Sequence, residues 1–228
     1  MIKAVNLQKV YRSLNVETVA LDNINLEIQA GEFVAITGPS GCGKSSLLNI
    51  LALLDKATRG DLFFFGRNTA QMSDREKANL RKRYLGFVFQ SFNLIEELSI
   101  FENIELPLAY LNIPKNNRRI RVHQVMEQLQ IAHKQRAYPQ QLSGGQQQRV
   151  AVARAIVTNP KILLADEPTG NLDSAKGREV MDIFSRLNEN GTTIILVTHS
   201  QRNADYAQRV LHLYDGQIVT ENINRLAF

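Results

Sequence analysis

The run GPSGCGKS, Gly38 to Ser45, constrains this 228-residue chain more than any other feature. It follows the apolar stretch Phe33 to Thr37 and opens a helical pattern from Lys44 to Leu54, giving the order strand, glycine-rich loop, helix. Gly38, Gly41 and Gly43 let the backbone N–H groups of the loop, which also holds Pro39, Ser40 and Cys42, face inward. The helix N-terminus adds partial positive charge, so the loop cradles a polyphosphate with few side chains. Lys44 then reaches the β- and γ-phosphates of a nucleotide such as ATP, the Ser45 hydroxyl suits Mg²⁺, and Ser46 extends the site into the helix.

Around this loop the chain alternates between two periods. Strand patterns cover Ile2 to Tyr11 and Val19 to Ile28, separated at Asn15, with Ala30-Gly31 marking the turn before Phe33. A short strand at Asp61 to Phe65 and a charged helix at Asp74 to Tyr84 follow. From about Ser91 to Gln141 the pattern is helical and irregular, with breaks expected at Pro107, Pro114 and Pro139. Beyond Gly145 come a helix to Val157, a strand Ile162 to Ala165, a helix Ser174 to Leu187 and a strand Thr192 to Thr198. Short apolar strands alternating with helices predict an α/β protein with a largely parallel sheet covered on both faces. The expected organisation is one domain over 1–228, with a core of 1–90 and 142–228 and an inserted helical subdomain at about 91–141.

Two further strands end in chemistry that suits a phosphate ester. In KILLADEP the apolar residues run straight into Asp166 and Glu167, at the strand end where an open α/β sheet places its ligand. Asp166 would hold Mg²⁺ and Glu167 would polarise the attacking water as general base. The strand TTIILVT leads to His199, a candidate donor to the γ-phosphate if the three strand ends converge. A fourth signal, LSGGQQQR, places Ser143 as N-cap and Gly144 and Gly145 at a second helix start, which is another anion-binding terminus.

Composition narrows the class. With 27 basic and 22 acidic residues the net charge is +5, compatible with nucleotides, nucleic acid or anionic lipid heads. A single cysteine excludes an internal disulfide framework and fits a reducing compartment. No apolar run approaches the roughly 20 residues of a spanning helix, and the N-terminus lacks the apolar core of a signal peptide. The expected location is the cytoplasm.

In order along the chain, GPSGCGKS, Gln90 in GFVFQ, LSGGQ, ILLADEP, the Asn171–Asp173 run NLD and His199 in LVTHS resemble the ATP-binding-cassette ATPases over essentially the whole length. The resemblance implies a P-loop NTPase core, an N-terminal antiparallel β subdomain and an α-helical insertion. It implies that Gln90 senses Mg²⁺ and the attacking water and communicates with transmembrane subunits. Ser143, Gly144, Gly145 and Gln146 would clasp the γ-phosphate of ATP held by the opposite protomer, Asp173 would lie at the contact between two cassettes, and Tyr11 would stack on adenine.

Within that family, SLNVETVAL after Tyr11, FVFQSFNLIEELSIFENIELPL and DEPTGNLD look most like cassettes of lipoprotein-releasing, macrolide-efflux and antimicrobial-peptide-resistance transporters. The implied assembly is a homodimer formed on ATP binding and peripheral on the cytoplasmic face of the plasma membrane. It would act with a separate transmembrane permease subunit and leave room for a periplasmic adaptor. The permease would dock beside Gln90, near Phe92, Leu94, Ile95, Leu98, Ile100 and Phe101, some of which would be core. The basic residues Arg118, Arg119, Arg121, Arg81, Lys82 and Arg83 read as solvated helix faces, with anionic lipid heads as the other reading. Other classes are a nucleotide-gated regulatory cassette in cell division or envelope remodelling and a nucleic-acid-associated cassette ATPase. The latter normally separates its nucleotide motifs by long coiled coils, and no sustained heptads lie between Lys44 and Asp166, so no specific nucleic acid is expected.

Overall fold

Strands that are apolar at every position are stable only between two covered faces, and the strands that carry the nucleotide motifs meet that condition. The computed structural model describes residues 1–13 and 16–223. The turn expected at Asn15 lies outside the described residues.

The chain begins with a long antiparallel pair, β1 (Ile2–Ser13) and β2 (Val16–Ile28), followed by β3 (Phe33–Thr37) and α1 (Lys44–Leu51). Next come β4 (Arg59–Phe64), the two-residue β5 (Arg67–Asn68), α2 (Asp74–Tyr84) and β6 (Leu85–Phe89). Helices α3 (Ile100–Tyr110), α4 (Lys115–Gln128) and α5 (Gly144–Ile156) precede β7 (Ile162–Asp166), α6 (Ser174–Glu189) and β8 (Thr193–Val197). A short α7 (Gln201–Ala204) leads into β9 (Arg209–Tyr214) and β10 (Gln217–Ile223).

Two sheets result. One is antiparallel in the order β2-β1-β4-β5, and the other runs β10-β9-β3-β8-β7-β6. In the second, β9, β3, β8, β7 and β6 are mutually parallel and only β10 is antiparallel. The pleat divides each central strand between two cores. Val34, Ile36, Ile162, Leu164, Ile195 and Val197 face α1 and the antiparallel sheet. Phe33, Ala35, Leu163, Ala165, Ile194 and Leu196 face α3 to α6.

Four features depart from sequence expectation. Pro107 does not break its segment but lies inside α3. Ile100, Ile104 and Leu108, spaced at i, i+4 and i+8, are all fully buried, and a Ser99–Glu102 capping box fixes the start. That burial is worth roughly 1.5–3 kcal/mol per side chain, which outweighs the roughly 3 kcal/mol cost of an interior proline. Pro114 and Pro139 do mark boundaries, at the N-cap of α4 and at the start of a single 3-10 turn. The P-loop helix stops at Leu51 rather than Leu54, because Leu53 takes a left-handed φ of 59°.

Strand β6 was not anticipated, nor was the β9–β10 hairpin. Asp215 and Gly216, both at positive φ, form the turn between β9 and β10, and that dipeptide is a hairpin signal. Strand β6 packs so closely on α5 that a Cβ at Gly86 would sit 2.5 Å from the Ala155 carbonyl oxygen. Gly86→Ala is therefore expected to lower unfolding free energy by about 1–3 kcal/mol in a urea titration. A variant as stable as wild type would show that the two elements can separate freely.

Candidate active site

The parallel strands deliver their C-terminal ends to one edge of the sheet. Phe89 pairs with Asp166, Asp166 with Val197, and Ile36 with Val197, so the residues that follow emerge side by side. They line an open cleft of about 660 Å³ that includes Ser40, Gly41, Gly43, Lys44, Ser45, Ser46, Gln90, Asp166, Glu167 and His199. Thr18 and Ala20 of β2 and Asn93 also line its wall. No chemical signal in the sequence singles these three out.

The loop can take its shape only with glycine at its two ends. Gly38 has φ 151°, and a Cβ there would lie 2.1 Å from the Leu213 carbonyl oxygen; at Gly43, φ is 103° and the clash is 2.3 Å from the Ala20 oxygen. Strands β9 and β2 therefore press the loop backbone from both sides. Gly41 also has positive φ, but no atom crowds it. The Lys44 ammonium donates to the carbonyl oxygens of Gly38 (2.9 Å) and Pro39 (2.7 Å), spanning the loop it would share with a polyphosphate. Cys42 is buried, its sulfur 3.8 Å from the same ammonium.

Beside the loop, Ser45 Oγ donates to Asp166 Oδ2 at 3.2 Å. Burial raises the Asp166 carboxyl above its usual range and the neighbouring Glu167 adds to this, while Ser45 and Lys44 act in the opposite direction. One hydroxyl and one carboxylate form an incomplete ligand set, and no group of three or more His, Cys, Asp or Glu among the described residues could hold a metal. A hydroxyl beside a carboxylate suits Mg²⁺, which keeps several waters and takes substrate phosphate oxygens alongside one or two protein groups.

Glu167 adopts φ 47°, a left-handed conformation uncommon for any residue other than glycine. Its surroundings hold it there: its N–H donates to the Val197 carbonyl at 2.9 Å, and the Gly170 N–H donates to its own carbonyl at 3.0 Å. At the carboxylate, Thr198 Oγ donates to Oε2 (3.3 Å) and His199 Nδ1 lies 2.8 Å from Oε1. His199 is thus engaged with Glu167 while its side chain stays 72% exposed at the cleft. Thr198 was missed in the sequence, although its position before His199 on a strand end was a usable signal. The Gln90 side chain lies against Gly170, and the Gln90 backbone carbonyl accepts from Asn171 Nδ2 at 2.9 Å.

The remaining predicted residues lie outside the cleft lining. Ser143 and Gln146 satisfy each other in a capping box at the start of α5. Gly144 and Gly145 follow, with the Lys176 side chain laid over Gly145. Asp173 caps α6 through the N–H groups of Ala175 and Lys176 and pairs with the Lys176 ammonium, contacts that hold its carboxyl below the usual range. Tyr11 reaches the site only through its hydroxyl, 3.3 Å from Ser46 Oγ. Of the apolar segment beside Gln90, Ile100 is core and Leu94 and Phe101 pack on it, while Ile95 is 38% exposed.

The profile of a family described as ABC transporter matches residues 21–170. The uncharacterized ABC transporter ATP-binding protein MJ1508 of Methanocaldococcus jannaschii is 53% identical over 225 residues, covering 99% of this chain and 100% of that protein. The macrolide export ATP-binding/permease protein MacB of Escherichia coli is 42% identical over 222 residues, which cover 97% of this chain but 34% of MacB. Among solved structures, the ATP-binding cassette MJ0796, a dimer in a post-hydrolysis state bound to ADP and Pi, matches with TM-score 0.92, 42% identity and 100% coverage of both chains.

The raised Asp166 carboxyl has a measurable consequence. The unfolded chain ionises this group first as pH rises, so in the nucleotide-free protein the charge destabilises the folded state above the ordinary aspartate pKa of about 3.9. Asp166→Asn should raise the thermal midpoint of the nucleotide-free protein near neutral pH, and the gain should vanish at acid pH below that value. A lower midpoint at neutral pH would contradict the assignment.

Proposed function

The chain belongs to the ABC transporter family as its ATP-binding, ATP-hydrolysing subunit, and we propose that two copies close around two ATP molecules to drive a membrane-spanning permease. The observation that carries this reading is a separation within one chain. The phosphate loop, Asp166, Glu167, Gln90 and His199 share one cleft, whereas the helix start at Ser143–Gly145 is not among the residues that line it. An anion-binding terminus outside its own chain's site is useful to a second chain. The dimeric state of the MJ0796 cassette supports the same arrangement.

In the proposed cycle the Lys44 ammonium exchanges the Gly38 and Pro39 carbonyls for β- and γ-phosphate oxygens, which offer stronger, charge-assisted bonds. Ser45 and Asp166 would hold Mg²⁺, whose charge offsets that of the phosphates. Glu167 accepts a proton from the attacking water, held toward it by the Thr198 hydroxyl and its unusual backbone. His199, free to turn from Glu167, donates to the γ-phosphate. Gln90 would contact the same water and Mg²⁺, the Ser143 turn of the second copy with Gln146 would close over the γ-phosphate, and Asp173 would lie at the contact between the two copies.

A permease partner of the lipoprotein-release, macrolide-efflux or peptide-efflux type would place the chain peripherally on the cytoplasmic membrane face, with a periplasmic adaptor as a further component. Among the described residues no helix is long and apolar enough to cross a membrane. The permease contact falls on the helical insertion, which we take as about 91–141, and on the edge strand β6. There an apolar groove is lined by Phe87, Phe89, Leu106, Pro107 and the 63% exposed Tyr110. A short amphipathic helix from the permease fits that chemistry.

Two measurements test the cycle. Glu167→Gln should keep ATP binding, lose about 10²-fold or more in hydrolysis and accumulate an ATP-bound dimer in size-exclusion chromatography. Turnover near the wild-type rate would remove Glu167 from its role. Lys44→Ala and Gly145→Asp should each be inactive alone, since every composite site needs both motifs. Mixed with each other, and with permease present if turnover needs it, they should regain partial activity, because both lesions fall on one site of a mixed dimer. No recovery in confirmed mixed dimers would defeat the composite site.

A further inference from the structure

Lys9 is an uncommon side chain for an inner strand of a small sheet. It is 9% exposed on β1, and its ammonium is fully engaged. Nζ donates to Asp55 Oδ1 at 2.7 Å and to the Lys56 carbonyl at 2.9 Å, and it stands 4.8 Å from the centroid of the Tyr11 ring. Asp55 in turn accepts the Tyr11 hydroxyl on Oδ2 at 3.2 Å, and the same hydroxyl lies 3.3 Å from Ser46 Oγ. The ring is therefore fixed at its hydroxyl and covered on one face by a cation, yet Tyr11 as a whole remains 42% exposed.

We propose that Lys9 and Asp55 are positioning residues that hold the Tyr11 ring as a preformed platform for the base of ATP, an inference that rests on Tyr11 being the base contact. The geometry explains what the clamp achieves. Ser46 belongs to α1 and Asp55 follows it closely, so the ring is tied to the helix that starts at the phosphate loop. The distance between the base platform and the phosphate cradle is then set by one rigid element. Ordering the ring in advance also spares the rotamer entropy that binding would otherwise lose. The ammonium occupies one ring face, which leaves the opposite face for the base. Burial raises the Asp55 carboxyl, but the hydrogen bonds from Lys9 and the Lys56 N–H, the charge of Lys9 and the Tyr11 hydroxyl outweigh it, and the group ends below the usual carboxylate range. Asp55 therefore keeps its charge at neutral pH.

A pair that merely ties β1 to the segment after α1 would not discriminate between ligands with and without a base. Calorimetric titration of the full chain with ATP and with inorganic tripolyphosphate, both in EDTA to stop turnover, makes that distinction. Lys9→Met/Asp55→Asn removes both charges together, leaving no unpaired buried ion. It should weaken ATP roughly three- to tenfold while tripolyphosphate binds as in wild type. Tyr11→Ala should show the same selectivity, and adding it to the double variant should weaken ATP no further than Tyr11→Ala alone. Tyr11→Phe, which keeps the ring and cuts only its hydroxyl ties, should also weaken ATP selectively. Unchanged ATP affinity in Tyr11→Phe overturns the clamp even if the double variant does not fold. If Tyr11→Ala weakens ATP but the double variant does not, or the double variant loses both ligands equally, the clamp fails while the base contact stands. If Tyr11→Ala binds ATP as wild type does, the base contact itself fails.

Discussion

The backbone of the phosphate loop is pressed between two strands that are distant in sequence, and the rest of the site depends on that contact. Gly38 lies against the Leu213 carbonyl of β9 and Gly43 against the Ala20 carbonyl of β2, at distances that exclude any Cβ. The Gly216 N–H donates to the Cys42 carbonyl, and the Asp22 N–H donates to the Gly216 carbonyl, so the β9–β10 turn closes the same layer. A loop braced in this way presents its N–H groups without paying for order at the moment of binding, which is the condition for electrostatic preorganisation.

The parallel strands do the complementary work. Because β3, β8, β7 and β6 are hydrogen-bonded neighbours, the side chains after their last residues are fixed by the strand spacing rather than by loop conformation. Asp166 is the last residue of β7, and Glu167 is the first beyond it. The left-handed φ at Glu167 sends its carboxylate to Thr198 and His199, whereas Asp166 turns to Ser45. Two adjacent carboxylates thus acquire different partners from one backbone irregularity, and strain of this kind persists only where neighbours over-determine it.

The second helix start follows a different logic. Its capping box satisfies Ser143 and Gln146 locally, so α5 is stable without an anion. Arg154, farther along α5, donates to the carbonyls of Phe92 and Asn93, which tie the helix to the turn after Gln90. One helix therefore carries the Ser143 turn at its start and braces the Gln90 wall of the cleft from its side.

The sequence by itself determined the phosphate loop, the Asp166–Glu167 pair, the His199 strand end and the capped Ser143 helix. Each is a local statement: a glycine pattern, an apolar run ending in charge, or a capping residue, all written within about ten consecutive positions. It also pointed to the parallel, doubly covered sheet, since short apolar strands alternate there with helices. Only the tertiary structure decided that Pro107 stays inside a helix, because burial of Ile100, Ile104 and Leu108 is a property of the packed core. The same holds for β6, whose Gly86 is explained by the Ala155 carbonyl across the α5 interface. The ring of Tyr11 was visible as an aromatic at a strand end, but its meaning depends on Lys9, Asp55 and Ser46, brought together from three separate stretches of chain. Local chemistry is legible in sequence because its spacing is covalent; pairwise orientation is not, because it is set by what the rest of the chain packs against.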